Sequence, residues 1–263
     1  DNKPPLAFVP FAVFIWLFGH SIVGVRIAGA ICLAVSAFLT YLVAGRLWGG
    51  LAGFLSGALT IVFVSLVPAG QATMAEILAL VPLLGALTIA TRYENVPKAL
   101  FFVGLLISIA ALVRLNLAYL AVLMGFFILF KQLCSTKQLP VAALTLYVGG
   151  GLVPITLVFL PYVWSGHLTT LINSAVLAPL RYSALQNSAI DSLRFHLKTG
   201  FGFGNALLWV GFIAGVGMCA LKWSHYTKTQ KQGKFVITAF FLGTALSIIN
   251  TGSAFYHHLI QII

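Results

Sequence analysis

Apolar residues run on in this chain for longer than water-soluble helices or strands allow. Between Ile22 and Ala44 a single charge, Arg26, interrupts them; between Leu51 and Val67, and between Leu139 and Trp164, none does. About 20 such residues form a helix that crosses the hydrocarbon core of a bilayer. With 7% of its residues charged, against roughly 25% in ordinary soluble domains, the chain lacks the polar material to cover a globule in water. A mean hydropathy of +1.05 agrees. The expected fold class is therefore all-α, a polytopic membrane helical bundle. A membrane-spanning barrel is disfavoured, because its strands alternate in polarity over about ten residues rather than staying apolar throughout.

At 263 residues the chain has room for about seven to nine crossings. Leu6 to Phe18, following Pro4-Pro5, is aromatic and too short for an easy span, and reads as an outer interfacial helix. Ile22 to Ala44 and Leu51 to Val67 form a hairpin through Arg46 and Gly49-Gly50. Glu76 opens a run to Ala90, and the long stretch Ala99 to Phe130 breaks at Arg114-Leu115-Asn116 into two crossings, since a charge in mid-bilayer costs several kcal/mol. After a polar loop from Lys131 to Gln138, Leu139 to Trp164 crosses again, with Gly149-Gly150-Gly151 and Pro154 permitting close packing or a kink. Ser165 to Gly204 is expected outside the membrane on the outer face. Asn205 to Leu221 crosses, Lys222 to Lys234 forms a basic loop, and Phe235 to Ile249 crosses last. The total is about eight spans in one domain, 1–263, and a chain expected to be truncated at both ends.

A net charge of +11 would point to nucleic acid in a soluble protein. Here the charges sit in short connections, so membrane topology explains them and no nucleic-acid partner is expected. Alternating the crossings sorts the basic residues into two groups. Arg46, Arg92, Lys98, Lys131, Lys137, Lys222, Lys228, Lys231 and Lys234 share one side with Glu94. Lys3, Arg26, Arg114, Arg181, Arg194 and Lys198 share the other with Asp1, Glu76 and Asp191. The richer group marks the cytoplasmic side. Cys32, Cys134 and Cys219 are odd in number and far apart, and read as packing residues rather than a disulfide or metal framework.

Three of the four acids thus fall on the outer side. Glu76, at the edge of an apolar run, needs water, a cation or a basic partner to stay ionised. Its plainer alternative is a first-turn acid favoured by the helix dipole, with Thr73 three residues earlier in an N-cap relation. Lys3 and Arg114 on the same side suit an anionic lipid phosphate, with snorkelling to the headgroups as the plainer alternative. Of the adjacent His257 and His258, at most one faces a given site if they lie on a helix. All three charged groups, Lys3, Glu76 and Arg114, are expected within about 15 Å of one another around one outward cavity, close enough for partly buried charges to interact.

Several motifs in order resemble the GT-C membrane glycosyltransferases of the protein mannosyltransferase and lipid A aminoarabinose transferase type. They are the opening Asp1-Asn2-Lys3-Pro4-Pro5-Leu6, then Leu17-Phe18-Gly19, Arg26, the turn Gly45-Arg46-Leu47-Trp48-Gly49, Glu76 and Arg114. The terminal Tyr256-His257-His258-Leu259-Ile260-Gln261 looks like the family's His-Tyr-x-x-Gln stretch. The resemblance is strong over residues 1–130 and weaker from 140 to 250.

What it implies is an enzyme, a glycosyltransferase that passes a sugar from a polyprenyl-phosphate donor to a lipid, glycan or protein acceptor. The reaction would take place on the outer face of a bacterial inner membrane, among membrane lipids. By resemblance Lys3 holds the donor phosphate, Arg114 supports it, Glu76 organises the pocket or a cation, and His257 and His258 line the site. No cofactor is fixed, a divalent cation being the one such a pocket would take. In two places the chain departs from the pattern. The acid usually assigned as base lies upstream of the Lys-Pro-Pro signature, so Asp1 is the substitute within this sequence and the base itself is expected to be missing. Leu115-Asn116 follow Arg114, where the family has Lys followed by Gly. The alternative is a polytopic transporter or lipid flippase with Glu76 and Arg114 along a substrate path. It would call for an internal repeat with paired broken helices, which the sequence does not show.

Overall fold

A computed structural model describes residues 4–66, 73–93, 96–136, 141–178, 191 and 226–249. Among them there are helices and no strand. Asp1, Lys3, His257, His258 and the expected crossing Asn205 to Leu221 lie outside the described residues, as does most of the expected outer segment Ser165 to Gly204. The helices are α1 (Val9–Phe18), α2 (Ile22–Trp48), α3 (Gly50–Leu66), α4 (Ala75–Arg92), α5 (Pro97–Val113), α6 (Ala118–Thr136), α7 (Val141–Trp164), the short α8 (Leu168–Ile172) and α9 (Lys228–Ile249). By length and composition α2, α4 and α7 each suffice to cross a membrane, and α3, α5 and α6 carry shorter apolar helices.

Local chemistry sets the boundaries. Ser21 caps α2 by accepting a hydrogen bond from the Val23 N–H at 3.2 Å. The helix stops at Gly49, whose φ of 95° is open to glycine at little cost. Pro97 opens α5, where its missing N–H leaves no bond unmade. At Arg114 the backbone turns extended and a 3-10 turn, Leu115–Leu117, leads into α6. The long apolar stretch is thus two helices meeting at its one charge.

Packing runs α3 against α2, α2 against α4, α4 against α5 and α5 against α7, with α6 and α9 paired beside them. The core lies where α4, α5, α6 and α9 meet, on Leu80, Leu83, Val103, Ile107, Leu117, Leu120 and Phe240. The outward faces carry Leu51, Phe54, Leu157 and other exposed large apolar side chains, a surface suited to lipid tails rather than water.

Two expected loops are helical. Lys131 belongs to α6, which continues through Thr136. Likewise α9 starts at Lys228 and takes in Lys231 and Lys234. Hydropathy places a boundary where apolar residues stop, but a helix continues past it as long as backbone bonds are made and long basic side chains reach polar surroundings. In α9 the start is set by a capping box. The Thr227 N–H donates to Gln230 Oε1 at 2.9 Å, and the Gln230 N–H donates to Thr227 Oγ1 at 3.3 Å. Gln230 Nε2 also donates to the Leu47 carbonyl at 2.7 Å, tying α9 to the end of α2. Lys234, 7% exposed, lays its ammonium over the Tyr226 ring, 3.1 Å from the centroid. Replacing Gln230 with Ala removes both the cap and the tie, and thermal unfolding in detergent should show a loss of about 1–2 kcal/mol.

Candidate functional site

Four contacts sort the helix ends. Arg46 Nη2 donates to the Arg92 carbonyl at 3.3 Å, so the C-termini of α2 and α4 share one end of the bundle, where Gln230 joins them. At the opposite end the Thr73 hydroxyl donates to the Val25 carbonyl at 2.8 Å, and Arg114 meets Glu76. Arg46, Arg92 and the start of α9 therefore stand apart from Arg26, Glu76 and Arg114, the same division that the charges and alternating crossings imply.

Glu76 is the second residue of α4, where free backbone N–H groups and the dipole favour a negative charge. The cap differs from the expected one. Met74 is the N-cap and makes no side-chain bond, while Thr73 stands one residue further out and spends its hydroxyl on α2. Glu76 is nevertheless enclosed, 2% exposed, with Arg114 at 19%. Arg114 Nη1 lies 2.6 Å from Glu76 Oε1, a charge-assisted contact. Arg114 is held by its own backbone as well: its N–H donates to the Ala110 carbonyl at 2.8 Å and its carbonyl accepts from the Leu117 N–H at 2.9 Å. Burial lowers the proton affinity of the guanidinium and the carboxylate opposes that. An arginine stays charged under such a shift.

Taking two charges out of water costs several kcal/mol per ion unless they are paired with good geometry. What the arrangement supplies is a fixed cation between two helices, partly open on one side, with its orientation set by a carboxylate. Such a group can bind and stabilise an anion such as a phosphate. Of the expected site residues, Glu76 and Arg114 are thus in contact, and the segment after Lys3 is seated too: Pro4 is buried, and the turn Pro5–Ala7 packs on α5. Among the described residues no three His, Cys, Asp or Glu side chains gather as a metal site.

A cavity of about 260 Å³ lies away from this pair, lined by Thr40, Trp48, Val64, Leu83, Leu87 and Phe240 among others. Its threonine hydroxyls at 40, 60 and 244 are bonded to carbonyls of their own helices, so its wall is apolar in effect. What the sequence did not disclose is the bond from Thr73 to Val25, 48 residues away, and the role of Gly29 beneath it. In the sequence Thr73 reads as a cap for the helix that Glu76 opens, and nothing there points to α2.

No curated protein and no solved structure matches the chain at a significant level. The family model for dolichyl-phosphate-mannose-protein mannosyltransferases does match, over residues 2–164, a stretch that contains Lys3, Glu76 and Arg114. With more than half its length covered, the chain belongs to the dolichyl-phosphate-mannose-protein mannosyltransferase family of membrane glycosyltransferases.

Proposed function

We propose that this chain takes part in transferring a sugar from a polyprenyl-phosphate donor to a lipid, glycan or protein acceptor, at the bundle end that holds Glu76 and Arg114. The observation that carries this reading is the buried ion pair between Glu76 and Arg114, lying within the stretch matched by the family model. Since the other end has the larger share of basic residues, the reacting end faces outward, on the outer side of a bacterial inner membrane.

In the reaction the bond from the sugar's anomeric carbon to the phosphate oxygen breaks, and a bond from that carbon to the acceptor oxygen forms. Negative charge grows on the departing polyprenyl phosphate, and fixed cations lower the barrier. Lys3 and Arg114 supply them, Lys3 from a segment stiffened by Pro4-Pro5. Glu76 holds the guanidinium in place; its enclosure and pairing suit that task better than accepting a proton. The acceptor's proton goes to another carboxylate, for which Asp1 is the candidate in this sequence, and His257 and His258 line the site.

The test is transfer from a radiolabelled polyprenyl-phosphate sugar by matched amounts of folded full-length wild type, Arg114→Gln and Lys3→Gln. Losing one charge-assisted hydrogen bond to phosphate should lower donor affinity or transfer rate about ten- to a hundredfold. Equal rates across a range of donor concentrations would remove these residues from the site.

A further inference from the structure

We infer that Thr73 and Gly29 are positioning residues of the transfer site, setting where the first turn of α4 stands against α2 and, through Glu76, where Arg114 points. The inference rests on the proposed role of Arg114 in holding the donor phosphate.

The tie has features that an ordinary helix cap lacks. The N-cap of α4 is Met74, which makes no side-chain bond, and the Thr73 hydroxyl takes no part in capping α4's first turn. It instead donates at 2.8 Å to the Val25 carbonyl, inside α2. A helix carbonyl is reached from outside only where the neighbouring side chain is small. Gly29, one turn on, provides that opening, since a Cβ there would collide with the Thr73 hydroxyl and lie 3.1 Å from its Cβ and Cγ2. The bond and the glycine therefore form one contact between two helices.

Glu76 follows Thr73 by three residues, within the same turn of chain, and its carboxylate is what Arg114 leans on. Arg114 lies in the break between α5 and α6 rather than within a helix, so its direction depends on its partners. A shift of α4's first turn along α2 would carry Glu76 with it and turn the guanidinium. Displacements of about 1 Å can change rates by orders of magnitude when a group must meet a reacting phosphate.

Thr73→Val keeps the shape and removes the donor. At matched amounts of folded protein it should raise the KM for the polyprenyl-phosphate donor about three- to tenfold, the range of single hydrogen bonds between membrane helices, and leave the acceptor KM unchanged. Thr73→Ser restores the hydroxyl and should restore the donor KM. Gly29→Ala displaces the hydroxyl without removing it and should reproduce the Val phenotype, giving a second route if Thr73→Val does not fold. A role limited to helix packing would lower the yield of folded protein and leave both KM values alone. An unchanged donor KM in Thr73→Val, or no recovery in Thr73→Ser, overturns the inference. Arg114→Gln, run alongside, separates the two readings: a raised donor KM there with none in Thr73→Val leaves the transfer site standing and removes only the positioning role. No effect in Arg114→Gln removes both.

Discussion

Glu76→Ala should destabilise the protein more than Arg114→Gln does, although the two substitutions break the same contact. The reason is what each leaves behind. Without Glu76, the Arg114 guanidinium sits in a site it fills at 19% exposure with its charge uncompensated, and a guanidinium does not shed its proton in a protein. Breaking a buried pair in this way costs about 3–5 kcal/mol. Without Arg114, the carboxylate that remains still stands at a helix N-terminus that favours its negative charge. Its loss should be the smaller of the two.

The paired replacement Glu76→Leu with Arg114→Met removes both charges and should recover much of the stability, since well-packed apolar residues of similar volume are often as stable as a buried ion pair. Chemical unfolding of the three variants in detergent measures this directly. If Glu76→Ala costs about 1 kcal/mol or less, the pair behaves like a solvent-exposed bridge, and the enclosed site described above is wrong. Activity follows a different order. Both single variants and the pair should lose transfer, Glu76→Ala because the guanidinium loses the carboxylate that orients it, the other two because no cation remains at position 114.

Much of this arrangement is legible in one dimension. The break at Arg114 follows from the cost of a charge in hydrocarbon, and it falls where α5 ends and a 3-10 turn begins. That Glu76 and Arg114 share an end follows from counting crossings between them, with no knowledge of packing. The order of the motifs from Lys3 to Arg114 carries the family resemblance that the match over residues 2–164 bears out. Hydropathy and charge suffice for these points because the bilayer imposes one axis on the chain.

Other features depend on lateral contacts, which leave no periodic trace. Thr73 reads locally as a cap for α4, and only the neighbouring helix shows that its hydroxyl goes to Val25. The basic stretch before Phe235 reads as a loop, and its helical start rests on Thr227 and Gln230 acting across three residues. That Glu76 touches Arg114, rather than merely sharing its end, depends on how α4 and α5 pack. The glycines of α7 show the limit most plainly, because three adjacent identical residues have three different surroundings.

Replacing Gly150 should be costly, and replacing Gly149 beside it should not. The helices α5 and α7 approach so closely that a Cβ on Gly150 would collide with the Phe101 carbonyl, and one on Gly104 would collide with the Tyr147 carbonyl. These are backbone atoms of a rigid helix, so relief requires the two helices to separate rather than one side chain to turn. Between membrane helices, where lipid is as apolar as the side chains, close approach of small residues supplies much of the association. Separation would also strain the bond from the Tyr147 hydroxyl to the Ala121 carbonyl, 2.7 Å long, which ties α7 to α6. Gly150→Val should therefore cost about 3 kcal/mol, the upper end of ordinary overpacking, and Gly104→Val a similar amount. A Cβ on Gly149 meets nothing within 4 Å, and one on Gly151 makes only ordinary contacts. Gly149→Ala should thus be neutral or stabilising by up to about 1 kcal/mol, the gain in helix propensity. Thermal unfolding of the three variants gives the ranking, and equal losses at 149 and 150 would mean that α7 presents a different face to α5.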